Sequence, residues 1–251
     1  MRRTVIALLL LVSGATVAVA QQNPSRQTAA KQGPQTGACA IGVVSQLGEK
    51  FAVKKIGYTV FGNEDNEVPV ESWRVDDLVI AKITGALGKR AAVKRIPYHK
   101  EAFASLETLK LFRDSEAEVG QGVRTLVAGT RCARYLLVTR AYRNVGSSNQ
   151  SIGGIGLLYD GVGPFSRVNA YALFALRLYD GETFALLKRA VASSGGSDFF
   201  EGIHGPHRLV DKSFWPESPD KAAQDARVRE AIRELVSQGM DTTLAELRLT
   251  E

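Results

Sequence analysis

Residues Arg167–Ser193 read "RVNAYALFALRLYDGETFALLKRAVAS". An apolar run reaches Asp180-Gly181 and resumes beyond it. Asp-Gly between two apolar segments is a strong short-range hairpin signal, so this stretch predicts two antiparallel strands. Upstream, "RYLLVTRAY" reads as a buried strand, and "ACAIGVVSQLGEKFAVKKIGYTVFG" reads as two strands around a Leu47-Gly48 turn. In the second of these, Ile56, Tyr58 and Val60 alternate with the period of a strand. "AAVKRI" adds a short strand.

Helical spacing appears between these segments. Val75, Leu78, Val79, Ile83 and Leu87 recur as one helix face, with Ser72 placed to cap it and Gly88 to close it. Residues 101–128 carry Leu106, Leu109 and Phe112 on one face and Val119, Val123, Leu126 and Val127 on another. Gly120 and Gly122 weaken that helix, which predicts two helices or a break. "DKAAQDARVREAIRELVSQGM" presents Ala223, Ala226, Val228, Ile232, Leu235 and Val236 as a closing helical stripe. Strands and helices mix without strict alternation, so the expected class is α/β, an α+β sandwich with a mixed sheet and helices packed on it.

The ends of the 251-residue chain bound its organisation. Arg2 and Arg3, the apolar run Val5–Val12 and the small-x-small series Ala18-Val19-Ala20 have the form of a secretory leader cleaved near Ala20. Residues 1–20 are read as a signal peptide. Residues 21–37, polar and aperiodic, are read as a disordered linker. Residues 38–251 are read as a single α/β domain. The mature chain is expected to be exported, most simply to a bacterial periplasm, with no integral membrane segment. Its net charge falls from +6 to +4 because the leader carries two arginines and no acid. The remaining Lys and Arg are scattered among acids rather than gathered in a stripe, so no nucleic-acid partner is expected.

Cys39 precedes the first predicted strand and Cys132 a central one. An oxidising compartment lets them pair if those strands are parallel neighbours. Otherwise they are two small buried apolar residues.

"AGTRCARYLLVTRAYR" followed by "YALFALRLYDGETFALL" resembles the core of a group of exported α/β domains. The group includes the amino-terminal domain of the Tol-system propeller protein, the curli secretion lipoprotein and the lipoprotein activators of penicillin-binding proteins. The likeness spans residues 72–192. It includes a strand pair whose turn carries Asp180, Gly181 and Thr183. The chain departs from the group in its first hairpin, its lack of a lipid-bearing cysteine and its inserted loops. The resemblance implies a fold, an envelope compartment and a non-catalytic interaction role.

Catalytic motifs are weak by comparison. Gly154 and Gly156 in "SIGGIGLLYDGVG" (151–163) begin like a phosphate cradle, but no third glycine, helix or Walker lysine follows. The stretch is expected to be a glycine-hinged excursion between strands, with Ile155, Leu157, Leu158 and Tyr159 as a contact loop. His204 and His207, near Asp198, Glu201 and Asp211, are candidate metal ligands, but Gly205-Pro206 between them breaks helical spacing. His99 reads as a surface residue. The acids Glu64, Asp65, Glu67 and Glu71 read as a solvated loop without calcium-loop spacing. No nucleophile elbow occurs, and no catalytic residue or cofactor is assigned. Trp73 and Trp215 read as packing residues. The expected function is that of an exported non-enzymatic envelope protein that binds an envelope protein or polymer. The alternative is a hydrolase acting on an envelope polymer such as peptidoglycan.

Overall fold

A computed structural model describes residues 39–57, 59–99, 116–146, 149–161, 163–193 and 203–249. The leader, the linker, the first half of the 101–128 helix, Asp198 and Glu201 lie outside the described residues. Among the described residues, ten strands form one mixed sheet. In chain order the elements are β1 (Cys39–Ser45), β2 (Lys50–Ile56), β3 (Glu64–Pro69), α1 (Val75–Leu87), β4 (Val93–Arg95) and α2 (Glu116–Leu126). They continue with β5 (Cys132–Arg140), β6 (Tyr142–Asn144), β7 (Ser151–Asp160), β8 (Arg167–Asp180), β9 (Leu186–Val191), β10 (His207–Val210), α3 (Pro219–Gln224) and α4 (Ala226–Leu247).

The β8–β9 hairpin organises the sheet. β8 is 14 residues long and is buried on both faces over most of its length, which explains its nearly continuous apolar run. On one edge its second half pairs with β5 and its first half with β7, both antiparallel. On the other edge β9 and β10 take the same two halves. Backbone bonds fix this assignment. Ala192 and Pro206 bond to Phe174 and Ala172 on one edge, while Ala141 bonds to Leu173 on the other. β5 and β7 therefore occupy one column interrupted by an excursion, and so do β9 and β10. β1 lies parallel to β5, and β2 parallel to β7, so these two also follow one another along a column.

That arrangement corrects the expected pairing of β1 with β2. The Leu47-Gly48 bend joins successive segments of one column, not two arms of a hairpin. Leu47 is fully buried, and the Gly48 N–H donates to Asp76 at 3.2 Å. The β8–β9 turn does form as read: Asp180 Oδ1 accepts from the backbone N–H groups of Glu182 (3.0 Å) and Thr183 (2.8 Å).

Alternation along β8 splits the core. Ala170, Ala172, Phe174, Leu176 and Leu178 face α1 and α4, meeting Val79, Ile83, Val228, Ile232 and Val236. On the opposite face, Tyr179 joins Tyr135, Leu137, Val119 and Val123 under α2. Tyr171 and Leu173 join Leu158, Val145, Ile152 and Ile203, so the two excursions cover the remaining part of that face. Among the described residues no helix is long and apolar enough to cross a membrane.

The glycine-rich stretch is corrected outright. Ser151–Asp160 is β7, an inner strand, and Ile155, Leu157 and Leu158 are buried in it. Tyr159 is half-buried, with its ring 5.3 Å from that of Trp215. These four residues are packing groups and do not form a contact loop. The glycines make room for bulky neighbours. At Gly156 an added Cβ would lie 2.5 Å from Tyr171 Cζ and 2.6 Å from the Ala52 carbonyl oxygen. Gly154 has φ +70° and sits under the Arg140 side chain.

The acidic "loop" is corrected too. Glu64–Pro69 is β3, antiparallel to β2, and its acids face lysines: Lys50–Glu67 at 3.1 Å, Lys54–Asp65 at 2.7 Å and Lys55–Glu64 at 2.9 Å. Cross-strand charge pairing of this kind lets a strongly polar segment hold an edge position. Ser72 lies in a short 3-10 turn, Glu71–Trp73, and the helix starts instead from Arg74, whose φ is 54°.

Candidate functional site

Two clefts flank the start of α1 and meet at Arg74. The first, about 410 Å³, lies where β1 and β4 end. Asp76, in the first turn of α1, reaches down into this corner. Its Oδ1 accepts from Ser45 Oγ at 2.5 Å and from the Gly48 N–H at 3.2 Å. Burial pushes the Asp76 carboxyl above its ordinary range, against those two hydrogen bonds, which favour the charged form. Tyr98 O–H donates to Glu49 Oε1 at 2.6 Å, and burial followed by that bond raises the Tyr98 phenol. At the mouth, Asp77 accepts from Arg74 Nε at 2.6 Å and from Arg95 Nη1. These hydrogen bonds hold the Asp77 carboxyl below its usual range.

The second cleft, about 490 Å³, runs between the first turns of α1 and α4. The two helices run in the same direction here. Arg233 Nη1 donates to the Trp73 carbonyl at 2.8 Å and the Arg74 carbonyl at 3.3 Å, and further along Lys82 meets Asp241 at 2.7 Å. Arg74 borders both clefts, and its backbone is left-handed, a conformation that L side chains seldom adopt.

A third feature is two exposed aromatic residues. β2 and β7 are parallel, with Ile56 opposite Asp160, so the loops that follow them leave the sheet side by side. Each carries a 3-10 turn, Val60–Gly62 and Gly163–Phe165. Phe61 is 97% exposed and Phe165 84% exposed.

The residues singled out from sequence fall elsewhere. Cys39 and Cys132 are opposite one another in the parallel β1–β5 pair, with Cα atoms 4.6 Å apart, and are joined by a disulfide. His204 is exposed, and His207 Nδ1 lies 2.7 Å from the Gly205 carbonyl oxygen. Neither histidine lines the two clefts. No group of three or more His, Cys, Asp or Glu side chains among the described residues is placed to hold a metal ion. His99 is exposed. Trp73 is buried against Phe51, their rings 4.9 Å apart, and its Nε1–H donates to the Ala223 carbonyl at 2.9 Å. The cleft residues Glu49, Asp76, Tyr98 and Arg229 carry no sequence signal, because each is one ordinary polar residue in its own segment. Comparison of the chain with protein-family models, curated proteins and solved structures finds no match.

Proposed function

We propose that this chain is an exported, non-enzymatic accessory domain of a bacterial envelope, which docks on a partner through the loops that follow β2 and β7. The carrying observation is that Phe61 and Phe165 both stand in the open, each on the loop that follows one of two paired parallel strands. Single exposed apolar residues are ordinary, but two large, almost fully exposed aromatics on loops that leave paired strands favour a contact role. The Cys39–Cys132 bridge supports the compartment, because such bonds persist where thiols are not kept reduced. The leader-like first 20 residues point the same way.

A photo-crosslinking amino acid placed at position 61 or 165 tests the reading, in cells that export the chain. A common adduct is expected from both positions and not from Leu187, an exposed residue on β9. Absence of adducts from both loops, or equal adducts from all three positions, overturns the docking role. Retention of the chain in the cytosol with two free thiols overturns the compartment. The second reading, hydrolysis of an envelope polymer, has the Asp76–Glu49 cleft in its favour. It requires turnover that is lost in both Asp76→Asn and Glu49→Gln.

A further inference from the structure

The cleft between α1 and α4 is a candidate for a second binding site, separate from the exposed phenylalanines. Arg74, Arg229 and Arg233 line it, together with Asp77, Glu230 and Trp73. The charges do not cancel. Asp77 is shared between Arg74 and Arg95, two cations on one carboxylate. Arg233 donates to two backbone carbonyls, which orient its guanidinium without neutralising it. Arg229 is exposed and has no side-chain hydrogen bond or ion pair among the described residues. Within the cleft, the three guanidinium groups of Arg74, Arg229 and Arg233 meet the two carboxylates of Asp77 and Glu230. The local excess is thus one positive charge, and Asp77 is further drawn on by Arg95 from outside the cleft.

Guanidinium groups are planar forks of N–H donors that match the oxygen pairs of carboxylate and phosphate. A groove that keeps one fork orientated by carbonyls and another unoccupied is suited to a ligand carrying such an oxyanion. The left-handed backbone of Arg74 adds a second indication. A residue other than glycine is held there at a conformational cost, and its guanidinium projects between the two clefts.

We infer that this groove binds an oxyanion, a carboxylate or phosphate group, on the ligand or polymer the domain meets. The identity of that polymer rests on the envelope reading above. The affinity of the groove for a simple oxyanion does not.

The test uses the oxidised mature chain and two probes, tripolyphosphate and citrate, in calorimetric titration. At least one probe is expected to bind saturably at one site. Arg229→Ala and Arg74→Gly should each weaken binding about tenfold, the order of one charge-assisted fork. Lys212→Gln, a charge removed elsewhere on the surface, should leave affinity unchanged. Raising salt from about 0.05 to about 0.5 M should weaken binding several-fold. Binding of tripolyphosphate alone assigns a phosphate ligand, binding of citrate alone a carboxylate ligand, and either outcome supports the site. The inference is overturned if neither probe saturates below about 10 mM, an affinity no stronger than a weak nonspecific contact. It is also overturned if both arginine variants bind like the parent, or if Lys212→Gln loses as much affinity as they do. The calorimetry needs no partner, so its failure would leave the crosslinking result at positions 61 and 165 standing.

Discussion

Reduction of the Cys39–Cys132 bond should remove a large part of the domain's stability. The bond closes a loop spanning 93 positions of the chain. In the chain-entropy description, cross-linking a loop of that length removes about 15.6 cal/mol/K from the unfolded ensemble, or about 4.6 kcal/mol at 25 °C. Native geometry adds no reorganisation, because β1 and β5 already place the two residues opposite each other with Cα atoms 4.6 Å apart. Small domains are stable by only about 5–15 kcal/mol in total. Urea unfolding monitored by circular dichroism, with and without a phosphine reductant, measures the effect. With a urea dependence of about 2–3 kcal/mol/M for a domain of this size, the midpoint should fall by about 1.5–2.3 M. A Cys39→Ser/Cys132→Ser variant should unfold near the reduced midpoint and ignore the reductant. If the reductant shifts the midpoint by less than about 0.4 M, equivalent to about 1 kcal/mol, the entropic reasoning fails. Two titratable thiols in the oxidised, unfolded chain would refute the bond itself.

Gly156→Ala should cost at least about 2 kcal/mol, since the new methyl would press on the Tyr171 ring and on the Ala52 carbonyl, which cannot turn aside. Thermal unfolding checks this, and a loss below about 0.5 kcal/mol would show that the ring moves freely. Arg74→Gly should leave stability equal or raise it by up to about 1 kcal/mol, because relief of the left-handed backbone outweighs an exposed ion pair with Asp77. A clear loss in denaturant unfolding would contradict that. Asp76→Asn tests the buried carboxyl. Its folded pKa is raised from 3.8, so its contribution is fully present below that value and is lost as pH climbs through the raised folded value. The variant can still accept from Ser45 and Gly48 and should lack this decline. Parallel stability curves for parent and variant from about pH 3 to about pH 7 would refute the assignment.

The sheet's organising hairpin was legible because Asp180-Gly181 and the apolar run of β8 are local signals, and a two-faced buried strand needs no distant partner to announce itself. The apolar spacing of helix α4 was legible for the same reason, but the single expected helix is split: Asp225 is extended, ends α3 and caps α4 by accepting from Arg227 N–H at 2.8 Å. β7 was misread because glycines usually mark loops. Here they accommodate Tyr142, Arg140 and Tyr171, residues from other strands that a reading along the chain cannot superpose. β3 was misread because its acids look solvated until they face Lys50, Lys54 and Lys55. That signal was present in the sequence, but only as a comparison of two segments.

By itself, then, the sequence determined the class of fold, its main helices and the β8–β9 turn, because propensity, periodicity and turn chemistry are short-range. Tertiary structure alone decided which strands share a column and that Cys39 stands opposite Cys132. It alone brought Arg74 and Arg229, 155 positions apart, to one groove. Sites of this kind arise from the crossing of elements in space, and pairing register and helix packing set those crossings from contacts summed over the whole core.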